Sequence, residues 1–515
     1  MDTILVLDFG SQTSQLIARR IREIGVYSEI IPGDSALPDK PDDAVRGIIF
    51  SGSPYSVFEK NTPKPDPNVY NWSLPILGIC YGLQRIVHDN GGSVESVSKK
   101  EYGRAAVTHE DNNSLFYGIP KTFISWMSHG DSITELPHNF STVARSDNHP
   151  AAFFQADKKL YGLQFHPEVT HCEYGLNILE NFAVRICGSE KKWNMDRYLV
   201  SARAEIRKKA GDRDILLLIS GGVDSTVVAG LLLDSLPSNQ VHLMYIDTGL
   251  MRKDESSEVH KNLRSLGAEN LYLIDASERF LKALKGVENP EEKRKIIGDL
   301  FIQVQEDEIK DRGIQDSFLA QGTLYTDMIE SGKGVGKKAH VIKSHHNVRS
   351  PLVEEKREKG LIIEPLSRLY KDEVRKLGTK VGIAEEIVNR HPFPGPGLGV
   401  RILGEVTEEK CDILREADHI LISELKKRNL YNEIWQAFCV LLPIRSVGVA
   451  GDIRKYGWVV AIRAVISKDG MTADVYPFPS RDLLEISALI TNTVPDVGRV
   501  VYDISSKPPA TIEWE

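Results

Sequence analysis

Short apolar runs alternate with longer amphipathic stretches along this chain, and the alternation restarts once before the pattern changes. Near the beginning, Ile4 to Leu7, Gly47 to Phe50 and Ile76 to Ile79 have the length and composition of buried strands. Ser14 to Ile24 carries apolar residues at helical spacing between the first two. Strands apolar along their whole length and separated by helices predict a mainly parallel sheet flanked by helices. Gly188-Ser189-Glu190-Lys191-Lys192 then turns polar and reads as a linker.

A second alternation follows. A helix over Met195 to Ala210 leads to the strand Ile215 to Ile219, and the next helix runs to about Leu236, where Pro237 stops it. Val241 to Ile246, Leu271 to Ile274 and Ser317 to Ala320 are further strands, with Glu255 to Leu266 a helix between the first two. His391-Pro392-Phe393-Pro394-Gly395-Pro396-Gly397 can continue neither a helix nor a central strand, and it marks a boundary. Beyond it, Trp458 to Ile466 and Met471 to Tyr476 bracket Asp469-Gly470, a hairpin signal, and Gly498 to Ile504 is a later strand. The pattern predicts an α/β protein: two successive doubly wound, mainly parallel sheet domains (1–188 and 189–390), then a small α+β domain (391–515).

Bulk properties narrow the class. A chain of 515 residues needs more than one core. Its net charge of −8 argues against coating nucleic acid or an anionic membrane. Five cysteines without CxxC spacing make a disulfide framework or a structural zinc site a poor reading, and a reducing, cytoplasmic setting is expected. Met1 to Asp8 lacks a basic leader, and its apolar run ends at Asp8, so it reads as a strand. No stretch approaches the roughly 18 apolar residues that would span a bilayer.

Ile76-Leu77-Gly78-Ile79-Cys80-Tyr81-Gly82-Leu83-Gln84 sets a cysteine between a buried strand and a helix start. Small neighbours permit the strained turn that lifts a nucleophile out of a sheet, and a helix N-terminus favours the thiolate. Alone, the cysteine reads equally well as packing. Gly162-Leu163-Gln164-Phe165-His166-Pro167-Glu168 supplies a base and an orienting carboxylate, which completes the set that acyl transfer requires. Together these strings, with Trp126-Met127-Ser128-His129-Gly130-Asp131, resemble the class I (triad) glutamine amidotransferases. The resemblance implies that Cys80 attacks the glutamine carboxamide, His166 shuttles protons and Glu168 orients His166. It also implies oxyanion-hole N–H groups at Tyr81 and at Ser53 of Ser51-Gly52-Ser53-Pro54, where Ser53 replaces the family's usual glycine.

Ser220-Gly221-Gly222-Val223-Asp224-Ser225-Thr226 follows an apolar strand and opens a helix, the setting in which backbone amides and hydroxyls bind phosphate. It lacks the GxxxxGK[ST] spacing of a Walker loop. Gly332 to Lys338 is a near miss without the Ser/Thr and reads as a mobile linker. The heptapeptide resembles the pyrophosphate loop of the PP-loop ATP pyrophosphatases, which implies attack at the α-phosphate and release of pyrophosphate. Asp247-Thr248-Gly249 ends the next strand, where nucleotides bind in open sheets.

Ala320 to Asp327, Lys343 to Val348, Glu364 to Ser367, His391 to Gly399 and Ser506 to Glu515 resemble the GMP synthetase family, so the resemblance spans the chain. It implies glutamine, ATP with Mg²⁺ and XMP as substrates, no organic cofactor, a lid lysine at Lys343, and a homodimer through the C-terminal domain. It implies XMP contacts at Arg294, Lys507 and Glu513, for each of which a plain surface charge is the alternative reading. Arg349-Ser350-Pro351 departs from the family's glycines after the lid histidines. His345 and His346 lack a third ligand at usable spacing, so no metal site is expected. Two other readings stay open from the residues: a PP-loop ligase with another acceptor, and a non-catalytic descendant of such an enzyme.

Overall fold

The structure is a computed structural model that describes residues 1–110, 113–146, 149–330, 351–450, 453–467 and 472–515. These form two compact units, residues 1–199 with 325–330, and residues 200–324 with 351–515.

The first unit is built on β1 (Thr3–Asp8), β2 (Tyr27–Pro32), β3 (Val45–Phe50), β4 (Ile76–Ile79), β5 (Ser93–His109), β6 (Thr122–Glu135), β7 (Ser141–Ser146), β8 (Pro150–Gln155) and β9 (Leu160–Leu163). The sheet order is β2-β1-β3-β4-β9-β8-β7-β5-β6. Its first five strands are parallel, as the apolar runs predict, and β8, β7, β5 and β6 extend it by antiparallel pairing. That extension carries fewer continuous apolar runs, because its exposed face admits polar side chains. Helices Ser14–Glu23 and Tyr81–Asp89 cover the parallel half with Ile17, Ile21, Leu83 and Ile86 buried.

The polar run after Gly188 is held against this unit. Trp193 N–H donates to the Gly25 carbonyl at 2.8 Å, and the Trp193 ring lies 4.8 Å from that of Tyr27. Gly25 has φ +94°, and a Cβ there would lie 3.4 Å from Lys191 Cβ.

The second unit contains β10 (Ile215–Ile219), β11 (Val241–Asp247), β12 (Asn270–Asp275), β13 (Phe318–Ala320) and β14 (Ile362–Ile363), all parallel in the order β12-β11-β10-β13-β14. The helix Val223–Ser235 after β10 is buried over most of its surface, so its apolar residues run all the way round and not along one stripe. A second sheet follows: β15 (Gln436–Ala450), β16 (Ile453–Ile466) and β17 (Asp474–Val475) are antiparallel, and β18 (Val497–Asp503) pairs parallel to β16. The expected hairpin therefore forms between β16 and β17, while its Asp469-Gly470 turn lies outside the described residues.

One apolar cluster in this unit includes Leu216, Phe280, Ile297, Leu398, Leu414, Leu441, Ile462 and Ile490. The Pro/Gly run at 391–397 is thus a turn in the chain across which the core continues. Gly397 shows why the run is tight: at φ +61°, an added Cβ would sit 2.3 Å from the Leu250 carbonyl oxygen.

Candidate active site

Cys80 stands between β4 and the helix Tyr81–Asp89, with φ 53° and ψ −109°. Left-handed backbone at a non-glycine residue costs about 1–3 kcal/mol and persists only where its surroundings enforce it. Here they do. A Cβ at Gly78 would meet Leu83 N at 2.4 Å, and one at Gly82 would meet the Phe50 carbonyl oxygen at 2.3 Å. The two glycines let helix and strands close on each other, and Cys80 N–H donates to the Leu163 carbonyl at 2.7 Å across to β9.

The same strand end delivers the base. His166 N–H donates to the Trp126 carbonyl of β6 at 3.0 Å, and Gly175 admits the Pro167 carbonyl where a Cβ would lie 1.9 Å from it. His166 Nδ1–H donates to Glu168 Oε1 at 2.7 Å, and the Glu168 side chain is wholly buried. Burial opposes charge on this imidazole, yet the Glu168 carboxylate and the neighbouring Cys80 side chain outweigh it, so His166 is held well above its ordinary 6.5. With Nδ1 committed to Glu168, Nε2 is the nitrogen free to serve the thiol. Cys80, His166 and Glu168 are therefore brought together as the sequence predicts.

Ser53 takes no left-handed φ, so a serine fits where a glycine is usual. Its hydroxyl donates to the Phe9 carbonyl at 2.8 Å, and the adjoining Gly52 backs onto His166, whose Cε1 would lie 3.6 Å from an added Cβ. Tyr81 is the first helical residue, whose N–H has no acceptor within the helix.

Several residues near the thiol were not singled out from sequence. Gln164 Nε2 lies 3.8 Å from Cys80 Sγ, and the Ser128 carbonyl 3.7 Å from it. Gln84 Nε2 donates to the Asp131 carbonyl at 3.1 Å, which also accepts from His129 Nδ1 at 3.0 Å. Gln84 and Gln164 lie within the two recognised strings, and that proximity was the available signal.

In the second unit, Ser220-Gly221-Gly222 turns from β10 into its helix with Gly221 at φ +75° and Gly222 as N-cap. The hydroxyls are turned onto the loop itself: Ser225 Oγ donates to the Gly222 carbonyl at 3.1 Å, Thr226 Oγ1 to the same oxygen at 2.9 Å, and Ser220 Oγ lies 3.2 Å from Ser225 Oγ. Two cations from distant segments reach this loop. Lys371 Nζ donates to both Asp224 carboxylate oxygens at 2.6 Å, and Arg390 Nη1 to the Gly221 carbonyl at 3.1 Å. Gly322, after β13, packs on Asp224, with 3.3 Å between an added Cβ and Asp224 Cβ.

The C-terminal tail gathers the remaining predicted residues. Arg401 donates to Glu513 through Nε at 3.1 Å and Nη2 at 2.9 Å, and Gln436 Nε2 donates to Glu513 Oε1 at 2.7 Å. Arg294 donates to the Glu515 main-chain oxygen, and buried Lys293 to Glu515 Oε2 at 2.6 Å. Lys507 pairs with Ala473 through main-chain hydrogen bonds of 2.8 and 3.0 Å. Arg294, on the helix Pro290–Asp311, thus meets the tail that carries Glu513, while Arg401, Gln436 and Lys293 had no sequence signal of their own. Lys343, His345, His346, the Gly332 to Lys338 run and Arg349-Ser350 lie outside the described residues.

A cysteine on a strained strand-to-helix turn with a His–Glu pair behind it defines a triad glutaminase, and residues 5–186 match the glutamine amidotransferase class-I family. Residues 423–514 match the GMP synthase C terminal domain. The chain is 52% identical to a GMP synthase [glutamine-hydrolyzing] of Aquifex aeolicus over 99% of both chains. It is 52% identical to one of Lactobacillus acidophilus over 100% of this chain and 98% of that one, and 51% identical to one of Thermosipho africanus over 100% of each. This chain belongs to the glutamine-hydrolysing GMP synthase family. Among the described residues, no helix is long and apolar enough to cross a membrane.

Proposed function

We propose that the chain makes GMP in two half-reactions, and the Cys80–His166–Glu168 arrangement is the observation that carries this reading. His166 Nε2 takes the thiol proton as Cys80 Sγ bonds to the glutamine carboxamide carbon. Main-chain N–H groups at Tyr81 and Ser53 receive the developing oxyanion, an effect typically worth about 3–4 kcal/mol per donor. His166 returns the proton to the leaving nitrogen, and ammonia departs. It then deprotonates the water that hydrolyses the glutamyl thioester to glutamate. Burial of Glu168 supports this cycle, since its carboxylate stabilises the imidazolium at each proton transfer.

Ser220 to Thr226 hold the β and γ phosphates of ATP, which enters with Mg²⁺ as part of the substrate. The XMP C2 oxygen attacks the α-phosphate, pyrophosphate leaves, and ammonia then displaces AMP to give GMP. XMP is held at the C-terminal tail, with Arg294 and Lys507 complementing phosphate and Glu513 accepting from base or ribose. Arg401 and Gln436 support this reading because they fix the Glu513 carboxylate. Lys343 is the lid cation. The functional division is glutaminase over 1–188, ATP pyrophosphatase over 189–390 and a dimerisation domain over 391–515. The assembly is a homodimer in the cytoplasm.

Incubation of the chain with XMP, ATP, Mg²⁺ and glutamine tests the whole scheme. GMP, AMP, pyrophosphate and glutamate should accumulate in equal amounts, and formation of ADP and phosphate in their place would overturn it.

A further inference from the structure

Arg390 lies between the helix Glu385–Val388 and the Pro/Gly run, about 170 residues along the chain from the phosphate loop, yet its guanidinium ends on that loop. Nη1 donates to the Gly221 carbonyl at 3.1 Å, and Nη2 donates to Glu255 Oε1. Glu255 is itself fixed: its side chain is almost wholly buried, and Oε2 accepts the Arg252 N–H at 3.0 Å. A planar guanidinium held by two acceptors keeps one orientation, which a lysine cannot reproduce.

What Arg390 holds is the carbonyl of a residue at φ +75°, a position where an added Cβ would lie 3.3 Å from both Glu255 Oε1 and Val259 Cγ2. The Gly221–Gly222 peptide is trans, so its carbonyl and its N–H point in opposite directions. With the carbonyl turned back onto Arg390, the Gly222 N–H faces into the loop, where it meets Ser220 Oγ at 3.3 Å. That contact is at the long end for a hydrogen bond, and a phosphate oxygen would be a stronger acceptor in its place. Released from the guanidinium, a diglycine peptide can flip and turn a carbonyl oxygen toward the anion.

We propose that Arg390 is a positioning residue for the pyrophosphate part of ATP: by holding the Gly221 carbonyl, it aims the Gly222 N–H at the β and γ phosphates. The proposal rests on the reading of Ser220 to Thr226 as the pyrophosphate loop. Glu255 matches the Arg390 charge, so the arginine orients the loop and does not attract the anion. Its effect is therefore confined to ligands that carry the pyrophosphate group.

The test uses the full chain with XMP, ATP and ammonia, with inhibition by the two products, pyrophosphate and AMP, measured separately. In Arg390→Gln the inhibition constant for pyrophosphate should rise about tenfold, with KM for ATP rising in the same direction. The constant for AMP, which lacks the β and γ phosphates, should stay within about twofold. Arg390→Lys keeps the charge pairing with Glu255 but not the fork, and it should give a smaller shift of the same kind. Equal shifts for pyrophosphate and AMP, or none for pyrophosphate in either variant, would overturn the proposal. Release of ADP and phosphate by the unmutated chain would overturn the loop reading, and the proposal with it.

Discussion

At His166 and His391 the proton affinity of the same ring is moved in opposite directions by what surrounds it. His166 faces a buried carboxylate and is held above 6.5, ready to carry a proton. His391 faces donors and acceptors that suit only the neutral ring. Ala437 N–H donates to its Nδ1 at 3.2 Å, its Nε2–H donates to the Tyr431 carbonyl at 2.8 Å, and the ring stacks on Tyr431 at 3.8 Å. Burial, with Arg252 nearby, pushes it down to about 4. Because the unfolded chain binds a proton at this residue more readily than the folded one, stability is complete above about pH 6.5 and declines as pH falls toward 4. The shift corresponds to a loss on the order of 3 kcal/mol across that window. Urea unfolding of the second unit at pH 7.5 and pH 5 should show a smaller acid-induced drop in midpoint for His391→Gln than for the unmutated chain. An equal drop in both would remove His391 from the pH response.

The elements that carry the two sites are strand-to-helix turns, and the first works by bringing backbone closer than side chains allow. At the first turn Gly82 is the contact point, 2.3 Å from the Phe50 carbonyl oxygen for any added Cβ. Gly82→Ala should cost about 1–3 kcal/mol of stability, as overpacked sites do. It should also reduce glutamine hydrolysis more than ammonia-dependent synthesis, which steady-state assays with the two nitrogen sources compare directly. Equal loss in both assays would mean that the turn does not shape the thiol site.

These turns were legible in sequence because their chemistry is local. An apolar strand, small residues and a helix start are contiguous at Ile76 to Gln84 and at Ile215 to Thr226, and the observed strands β4 and β10 have the predicted bounds. The antiparallel extension of the first sheet was not legible, since its strands mix polar and apolar residues and follow no continuous apolar run. Arg390, Lys371, Arg401 and Gln436 were hidden for another reason. Each reaches its partner across a sequence separation from 77 to 169 residues, and nothing in the local pattern marks a side chain for such a meeting.

Across the whole molecule, one chain carries a cysteine with a His–Glu pair, a glycine-serine loop at a strand-to-helix turn, and an acidic C-terminal tail held by Arg401, Lys293 and Arg294. Glutamine use rests on the triad; pyrophosphate release rests on a loop without Walker spacing; membership of the GMP synthase family rests on about half the residues being identical over the full length. The most direct test of this division of labour is to assay Cys80→Ala for GMP formation from XMP and ATP with glutamine and, separately, with ammonia. The account predicts no GMP with glutamine and retained synthesis with ammonia. Loss of synthesis from both nitrogen sources in a folded variant, or retention with glutamine, would contradict it.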